Sequence, residues 1–175
     1  MTTLMSEPLK QNPVGYRMGA LVLLIALGTI VLALLFEHLG GFIPCPLCLQ
    51  QRYAYYAAIP AAFVGLILLS SGKGRWAALF FFLIALAFLA NAGLGVYQAG
   101  AEWKFWPGPA TCSGNLGLTL DAGNLIEELE KTRVVRCDEA AWRFAGLSFA
   151  GWNVLISLFL FGASISAAAS SSRQS

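Results

Sequence analysis

Two cysteines separated by two residues form the most reactive element of this sequence. They lie in GGFIPCPLCLQQRYAYY, residues 40–56, as Cys45 and Cys48, and Arg52 follows four residues later. At the start of a helix, backbone N–H groups without partners favour the thiolate of such a pair. Arg52 is a permanent positive charge one helical turn further on, able to hold a thiolate or an oxygen anion. The spacing predicts thiol–disulfide chemistry, because a structural staple across so small a loop gains little.

The other two cysteines, Cys112 and Cys137, lie 25 positions apart in a long polar stretch. A bridge between them would remove about 3 kcal/mol of chain entropy from the unfolded state, so a structural disulfide is one interpretation. Two pairs together also permit electron transfer through mixed disulfides. Zinc binding is a third interpretation, although structural zinc sites usually repeat the Cys-x-x-Cys element and this chain does not. Four cysteines allow three pairings, which stay open at this point.

The composition indicates a membrane protein. Of the 175 residues, 58% are hydrophobic and 11% are charged, whereas soluble domains carry about 25% charged residues. No basic run with interleaved aromatic residues occurs, which argues against nucleic-acid binding. The length fits a single membrane domain over residues 1–175.

Several windows are apolar enough to cross a hydrocarbon core about 30 Å thick as helices. They cover about residues 18–39, 49–70, 76–98 and 144–167. The sequence therefore predicts an all-α membrane protein, a bundle of four transmembrane helices with cysteine-bearing outer loops at residues 40–48 and 99–143. In the second loop, TLDAGNLIEELEKT has apolar side chains on one side and glutamates on the other, which predicts a short amphipathic helix. Glycines expected to let helices approach closely are Gly93, Gly95, Gly146, Gly151 and Gly162.

Basic residues are distributed unevenly between the two ends of these spans. The N-terminal tail, the link at residues 70–75 and the C-terminal tail carry five basic residues and one acid. Residues 98–143 carry five basic residues and seven acids. The excess of Lys and Arg in the short segments predicts that both termini and the link are cytoplasmic. All four cysteines would then face an outer, oxidising compartment, where disulfides persist.

The order of these elements resembles the DsbB family of bacterial inner-membrane proteins. The resemblance rests on FEHLGGFIPCPLCLQQR after a first span, on WPGPATC, and on VVRCDEAAWRFAGLSFAGWN leading into a fourth span. Members of this family reoxidise the periplasmic thiol oxidase DsbA and pass the electrons to a membrane quinone. The resemblance implies a quinone-dependent protein-disulfide oxidoreductase of the inner membrane. Its partner would be a DsbA-like oxidase with a thioredoxin fold, and its cofactor would be ubiquinone or menaquinone.

The resemblance also implies a role for each cysteine. The redox disulfides would be Cys45–Cys48 and Cys112–Cys137. A reduced partner would attack Cys112, and the released Cys137 would attack Cys45. Cys48 would then be the thiolate that faces the quinone, with Arg52 beside it to stabilise negative charge.

Two positions depart from the pattern of some DsbB members. Gln51 stands where these members carry glutamate, and Gln98 where they carry a histidine that lines the quinone site. Gln98 donates a hydrogen bond to a quinone carbonyl but does not accept a proton as histidine does. The single histidine, His38, is interpreted as an interfacial residue or as a proton relay. Two alternatives stay open: a vitamin-K-epoxide-reductase-like oxidoreductase, and a non-enzymatic four-span protein whose outer loops are stapled by disulfides.

Overall fold

The structure, a computed structural model, describes residues 13–108, 140 and 142–173. Its elements are, in chain order, α1 (Pro13–His38), α2 (Pro46–Ser70), α3 (Gly74–Glu102), β1 (Arg143–Phe144), β2 (Leu147–Ser148) and α4 (Phe149–Ser172). The four helices have 26, 25, 29 and 24 residues. At about 1.5 Å per residue, each exceeds the thickness of the hydrocarbon core. All four are long and apolar enough to cross a membrane, so the predicted four-span helical bundle is confirmed.

Part of the predicted second outer loop lies outside the described residues. Cys112, Cys137 and the amphipathic helix predicted at residues 119–132 fall there. The interpretations of these residues therefore stay predictions.

The helices pack so that α1 contacts α2 and α4, and α3 contacts the same two helices. The core between them combines small residues with two large rings, Phe81 and Phe88, both fully buried. Large apolar side chains such as Leu24, Phe63 and Leu158 are exposed on the outer faces. Because hydrocarbon solvates such side chains as well as a protein core does, this outer surface is suited to lipid.

Glycines on two helices leave the space that the Phe81 ring fills. A Cβ atom at Gly19 of α1 would lie 2.5 Å from Phe81 Cζ, and one at Gly65 of α2 would lie 3.0 Å from the same atom. Among the glycines expected at helix contacts, Gly95 is confirmed, because a Cβ there would lie 2.8 Å from Val154 Cγ2 on α4. The expectation is wrong for three others: a Cβ at Gly93, Gly146 or Gly162 would meet nothing within 4 Å.

The third helix extends beyond its predicted end at residue 98. It continues to Glu102, after which the chain folds back over its last turns. Trp106 Nε1 donates to the carbonyl oxygen of Tyr97 at 2.8 Å, and the two rings stack with their centroids 6.2 Å apart. The absence of a side chain at Gly100 makes room for the Trp106 ring. The helix thus continues for four residues beyond the predicted end of the span.

The fourth helix begins later than predicted because a tight hairpin precedes it. Ala145 and Gly146 have positive φ angles of 51° and 83°, the combination that a two-residue hairpin loop with a type I′ turn requires. The strands pair antiparallel, with Phe144 opposite Leu147. Ser148 Oγ then accepts the N–H of Gly151 at 3.2 Å and caps α4. Residues 144–148, predicted as the start of the span, therefore belong to the hairpin and the cap.

Gly19→Val tests the packing around Phe81. The added side chain must displace the Phe81 ring or separate α1 from α2, so we expect a loss of about 1–3 kcal/mol in the free energy of unfolding. Gly28→Val is the matched control, since a Cβ at this exposed position of the same helix meets nothing within 4 Å. The measurement is unfolding of the detergent-solubilised protein by added SDS. Equal destabilisation by both substitutions would contradict the packing assignment.

Candidate active site

Cys45 and Cys48 lie at the N-terminus of α2, at one end of the bundle. Cys45 is the N-cap residue, and its Sγ accepts the backbone N–H of Cys48 at 3.2 Å. Pro46 occupies the first helical position, where its missing N–H would have no partner in any case. Both cysteines are free thiols, Cys45 buried and Cys48 partly exposed. The first turn of α2 thus holds both sulfurs together and leaves one of them accessible.

The two thiols differ in how readily they lose a proton. The hydrogen bond with the Cys48 side chain, reinforced by burial, raises the pKa of Cys45 well above the ordinary cysteine range. The proton of the pair is thus held more firmly at Cys45, and the role of the more accessible Cys48 as the nucleophile stays a prediction.

Gln98 on α3 is buried against both sulfur atoms. Its Nε2 lies 3.3 Å from Cys48 Sγ and 3.5 Å from Cys45 Sγ. The same nitrogen donates to Glu102 Oε1 at 3.3 Å. With 3% of its surface exposed, Gln98 is shielded from solvent and its amide faces the thiol pair directly. The structure thus brings together three residues predicted from sequence, and the role of Gln98 toward a quinone stays a prediction.

A second glutamine, Gln51 on α2, links Gln98 to α4. Gln51 Nε2 donates to Gln98 Oε1 at 2.7 Å, and Asn153 Nδ2 donates to Gln51 Oε1 at 2.6 Å. Tyr55 Oη donates to Asn153 Oδ1 at 2.7 Å. Because an amide without a partner is costly inside a membrane, these bonds hold α2, α3 and α4 in a fixed register.

Arg52 forms an ion pair with α1. Its Nη1 donates to Glu37 Oε2 at 2.5 Å, and its side chain is 14% exposed. Among the described residues, Glu37 is the polar partner of the Arg52 guanidinium. The guanidinium carries five N–H donors in all. A role of Arg52 beside Cys48 therefore stays a prediction. His38, which follows Glu37, is the exposed last residue of α1.

Three polar residues of this site were not among the predicted site residues: Gln51, Glu102 and Asn153. Gln51 was noted as a departure from a family pattern, and Glu102 was counted among the loop acids. In the structure Glu102 ends α3 and is 7% exposed, and its Oε2 has no partner among the described residues. The available signal was their placement, since polar side chains within or beside membrane-spanning segments are expensive and usually functional.

Comparison with known proteins identifies the family. The family described as disulfide bond formation protein DsbB matches residues 16–167 of the chain. The chain belongs to the DsbB family. One relative, disulfide bond formation protein B of Marinobacter nauticus, is 32% identical over 154 residues, covering 81% of this chain and 87% of the relative. Another, of Verminephrobacter eiseniae, is 31% identical over 148 residues, covering 79% and 77%.

The DsbB match runs from α1 into α4 and includes the positions of all four cysteines. No solved structure matches the chain at a significant level. Membership in the DsbB family makes the chain a multi-pass membrane protein and decides against the vitamin-K-epoxide-reductase-like and stapled-scaffold alternatives. The redox role of the Cys45–Cys48 pair within this family stays a prediction.

Gln51→Leu tests the link between the helices of this site. The substitution removes the Gln51 partner of both the buried Gln98 Oε1 and the partly buried Asn153 Nδ2, so we expect the protein to lose about 1–3 kcal/mol of stability. Gln50→Leu is the matched control, because Gln50 is the exposed neighbour on the same helix. SDS unfolding in detergent measures both variants. A Gln51→Leu variant as stable as the Gln50→Leu variant would show that these bonds do not hold the bundle together.

Proposed function

We propose that the chain reoxidises a DsbA-like thiol oxidase of the periplasm and passes the electrons to a membrane quinone. Family membership and the names of the relatives, disulfide bond formation protein B, support disulfide formation. The observation that carries the proposal is the Cys45–Cys48 pair at the N-terminus of the membrane-spanning helix α2, where the Gln98 amide lies against both sulfurs. A thiol pair in this position is accessible to a lipid-soluble acceptor.

The residues around the pair fit a quinone. A bound quinone would supply an acceptor for two electrons and two protons. Arg52 and Gln98 offer N–H donors that suit its carbonyl oxygens, and the partly exposed Cys48 supplies the sulfur. Ubiquinone and menaquinone share these two carbonyl oxygens, so the same donors serve either.

The proposed exchange begins in the second outer loop. A partner thiolate attacks Cys112 of a Cys112–Cys137 disulfide, which forms a mixed disulfide and releases the Cys137 thiolate. Cys137 attacks Cys45 of the Cys45–Cys48 disulfide, which forms a Cys45–Cys137 bond and releases Cys48 as the thiolate. These attacks follow the ordinary course of thiol–disulfide exchange.

The proposed exchange ends with the oxidation of the membrane pair. The second partner thiol resolves the mixed disulfide and leaves the partner oxidised and Cys112 reduced. Cys112 then displaces Cys45 from Cys137 and restores the loop disulfide. Cys45 and Cys48 now hold the two electrons and two protons gained from the partner. The Cys45–Cys48 disulfide reforms when the pair gives up these two electrons and two protons, for which a bound quinone would be the acceptor.

The proposed location is the bacterial inner membrane, with the cysteine end facing the periplasm and both termini in the cytoplasm. The distribution of charge supports this orientation. Arg17, Lys73, Arg75 and Arg173 lie at the helix ends opposite the Cys45–Cys48 pair. The positive-inside rule assigns such an end to the cytoplasm.

Quinone reduction by purified protein tests the proposed function. On addition of a reduced DsbA-like oxidase, we expect wild-type protein to reduce a ubiquinone or menaquinone analogue, and Cys48→Ala to abolish the reaction because the quinone-facing sulfur is gone. Ser166→Ala, an exposed change on α4, is the control and should retain wild-type turnover. Absence of quinone reduction by folded wild-type protein would reject the function. Turnover by Cys48→Ala would reject only the role given to Cys48.

Cysteine labelling in spheroplasts tests the orientation. In a background with the four native cysteines replaced by serine, Leu39→Cys lies at the active-site end and Ser71→Cys at the opposite end. We expect a membrane-impermeant maleimide to label position 39 in intact spheroplasts and position 71 only after lysis. The reverse pattern would invert the proposed topology.

A further inference from the structure

Four side chains from three helices form a one-way series of hydrogen bonds that ends at the thiol pair. In order they are Tyr55, Asn153, Gln51 and Gln98, here called the amide relay. Tyr55 donates to Asn153 at 2.7 Å, Asn153 to Gln51 at 2.6 Å, and Gln51 to Gln98 at 2.7 Å. Each of the three amides accepts from the member before it and donates toward the sulfurs.

Both ends of the relay require this direction. At the first end, the Asn153 Oδ1 atom accepts from Tyr55 and also faces Asn91 Nδ2 at 3.4 Å, a group that only donates. Asn153 must therefore turn its own Nδ2 toward Gln51. At the other end, the Glu102 carboxylate receives Gln98 Nε2 at 3.3 Å. A carboxylate only accepts, so Gln98 must present its nitrogen there.

The direction of the relay decides which Gln98 atom lies nearer to Cys48 Sγ: Nε2 lies at 3.3 Å, and Oε1, which accepts from Gln51, lies at 3.8 Å. In the observed direction, Nε2 lies 3.3 Å from Cys48 Sγ and stabilises a negative sulfur. A carbonyl oxygen in that place would oppose the same charge. Turning one amide over places two donors or two acceptors face to face unless its neighbour turns as well. Burial of Gln51 and Gln98 makes such a mismatch costly and couples the bonds.

We infer that Asn153 on α4 is a positioning residue that sets the orientation of the Gln98 amide, and thereby the reactivity of Cys48, through Gln51. The inference rests on the proposed function for the role of Cys48 as electron donor to a quinone. It adds a residue on a fourth-span helix to a redox site whose other members lie on α2 and α3. Without Asn153, the Gln51 amide is free to turn and no longer directs the Gln98 nitrogen toward the sulfur.

Asn153→Leu removes the relay bond without adding a charge. In reduced, quinone-free, full-length protein in detergent at pH 7, we expect alkylation of Cys48 by iodoacetamide to slow about fivefold or more, because a directed donor to the thiolate is lost. Peptide mass spectrometry separates Cys48 from the other cysteines. Ser164→Ala is the control: Ser164 is a buried polar residue of the same helix, and its Oγ has no hydrogen-bond partner among the described residues. Its Cys48 should react at close to the wild-type rate.

A double-mutant cycle with Gln98→Leu separates the relay from a loss of packing. Gln98→Leu removes the terminal donor and should itself slow alkylation, after which adding Asn153→Leu should change nothing further. Additive slowing, or a wild-type rate in Asn153→Leu, would overturn the inference. If Asn153→Leu does not fold, Gln51→Leu takes its place because it interrupts the same relay. Additive slowing with Gln98→Leu, or a wild-type rate in Gln51→Leu, would again overturn the inference. Alkylation needs neither quinone nor partner. Failure of the proposed function would be seen as absent quinone reduction by wild-type protein. It can therefore be distinguished from failure of this inference, which would be seen in the alkylation rates.

Discussion

The hydrogen bond between Gln51 and Gln98 is the interaction on which the rest of the site depends. Both amides are buried, and in a membrane neither has water as an alternative partner. Their pairing fixes which turn of α2 lies opposite α3. Gln51 lies one turn after Cys48, so this bond also sets the position of the sulfurs relative to the Gln98 nitrogen. The contact between the Gln98 nitrogen and the two sulfurs is therefore set by the register of α2 against α3.

The two halves of the bundle are held together by different physical means. At the cysteine end, polar side chains join α2, α3 and α4, and the Arg52–Glu37 ion pair adds α1. Further along the helices the contacts are steric, with the Phe81 ring seated against Gly19 and Gly65. Directional bonds specify one arrangement at the site, whereas shape complementarity supplies the close approach on which helix association in lipid depends.

The spans and the Cys-x-x-Cys pair could be predicted because each depends on a short stretch of sequence. The apolar windows are long, and Pro46 after Cys45 marks the start of a helix. The last residue of α3 was missed because it depends on the contact of Trp106 with the end of that helix. The first residue of α4 was missed because it depends on the turn at Ala145 and Gly146. A hydropathy profile predicts neither the packing of the Trp106 ring against Gly100 nor a turn with positive φ angles.

The partners of the buried amides could not be predicted from the sequence. They depend on how each helix is rotated about its axis, and helices that are apolar on all sides carry little amphipathic signal to indicate it. Gln98 was placed at the site by family resemblance, whereas Asn153 was not considered, since it is one polar residue in an apolar span. The same limit applied to glycines, since Gly95 packs against Val154 while Gly93, two residues earlier, faces open space.

The sulfur of Cys45 has a second function, because it also caps α2 by accepting the Cys48 N–H. An N-cap bond to a side-chain oxygen stabilises a helix by about 1 kcal/mol, and a sulfur acceptor contributes less. Any covalent bond that draws this sulfur away from the Cys48 amide removes the cap and lets the first turn fray. In the proposed exchange, each change of sulfur partner at Cys45 would thus also change the local folding of the helix that carries Cys48. The proposed electron transfer would be coupled through this one sulfur atom to the folding of the first turn of α2.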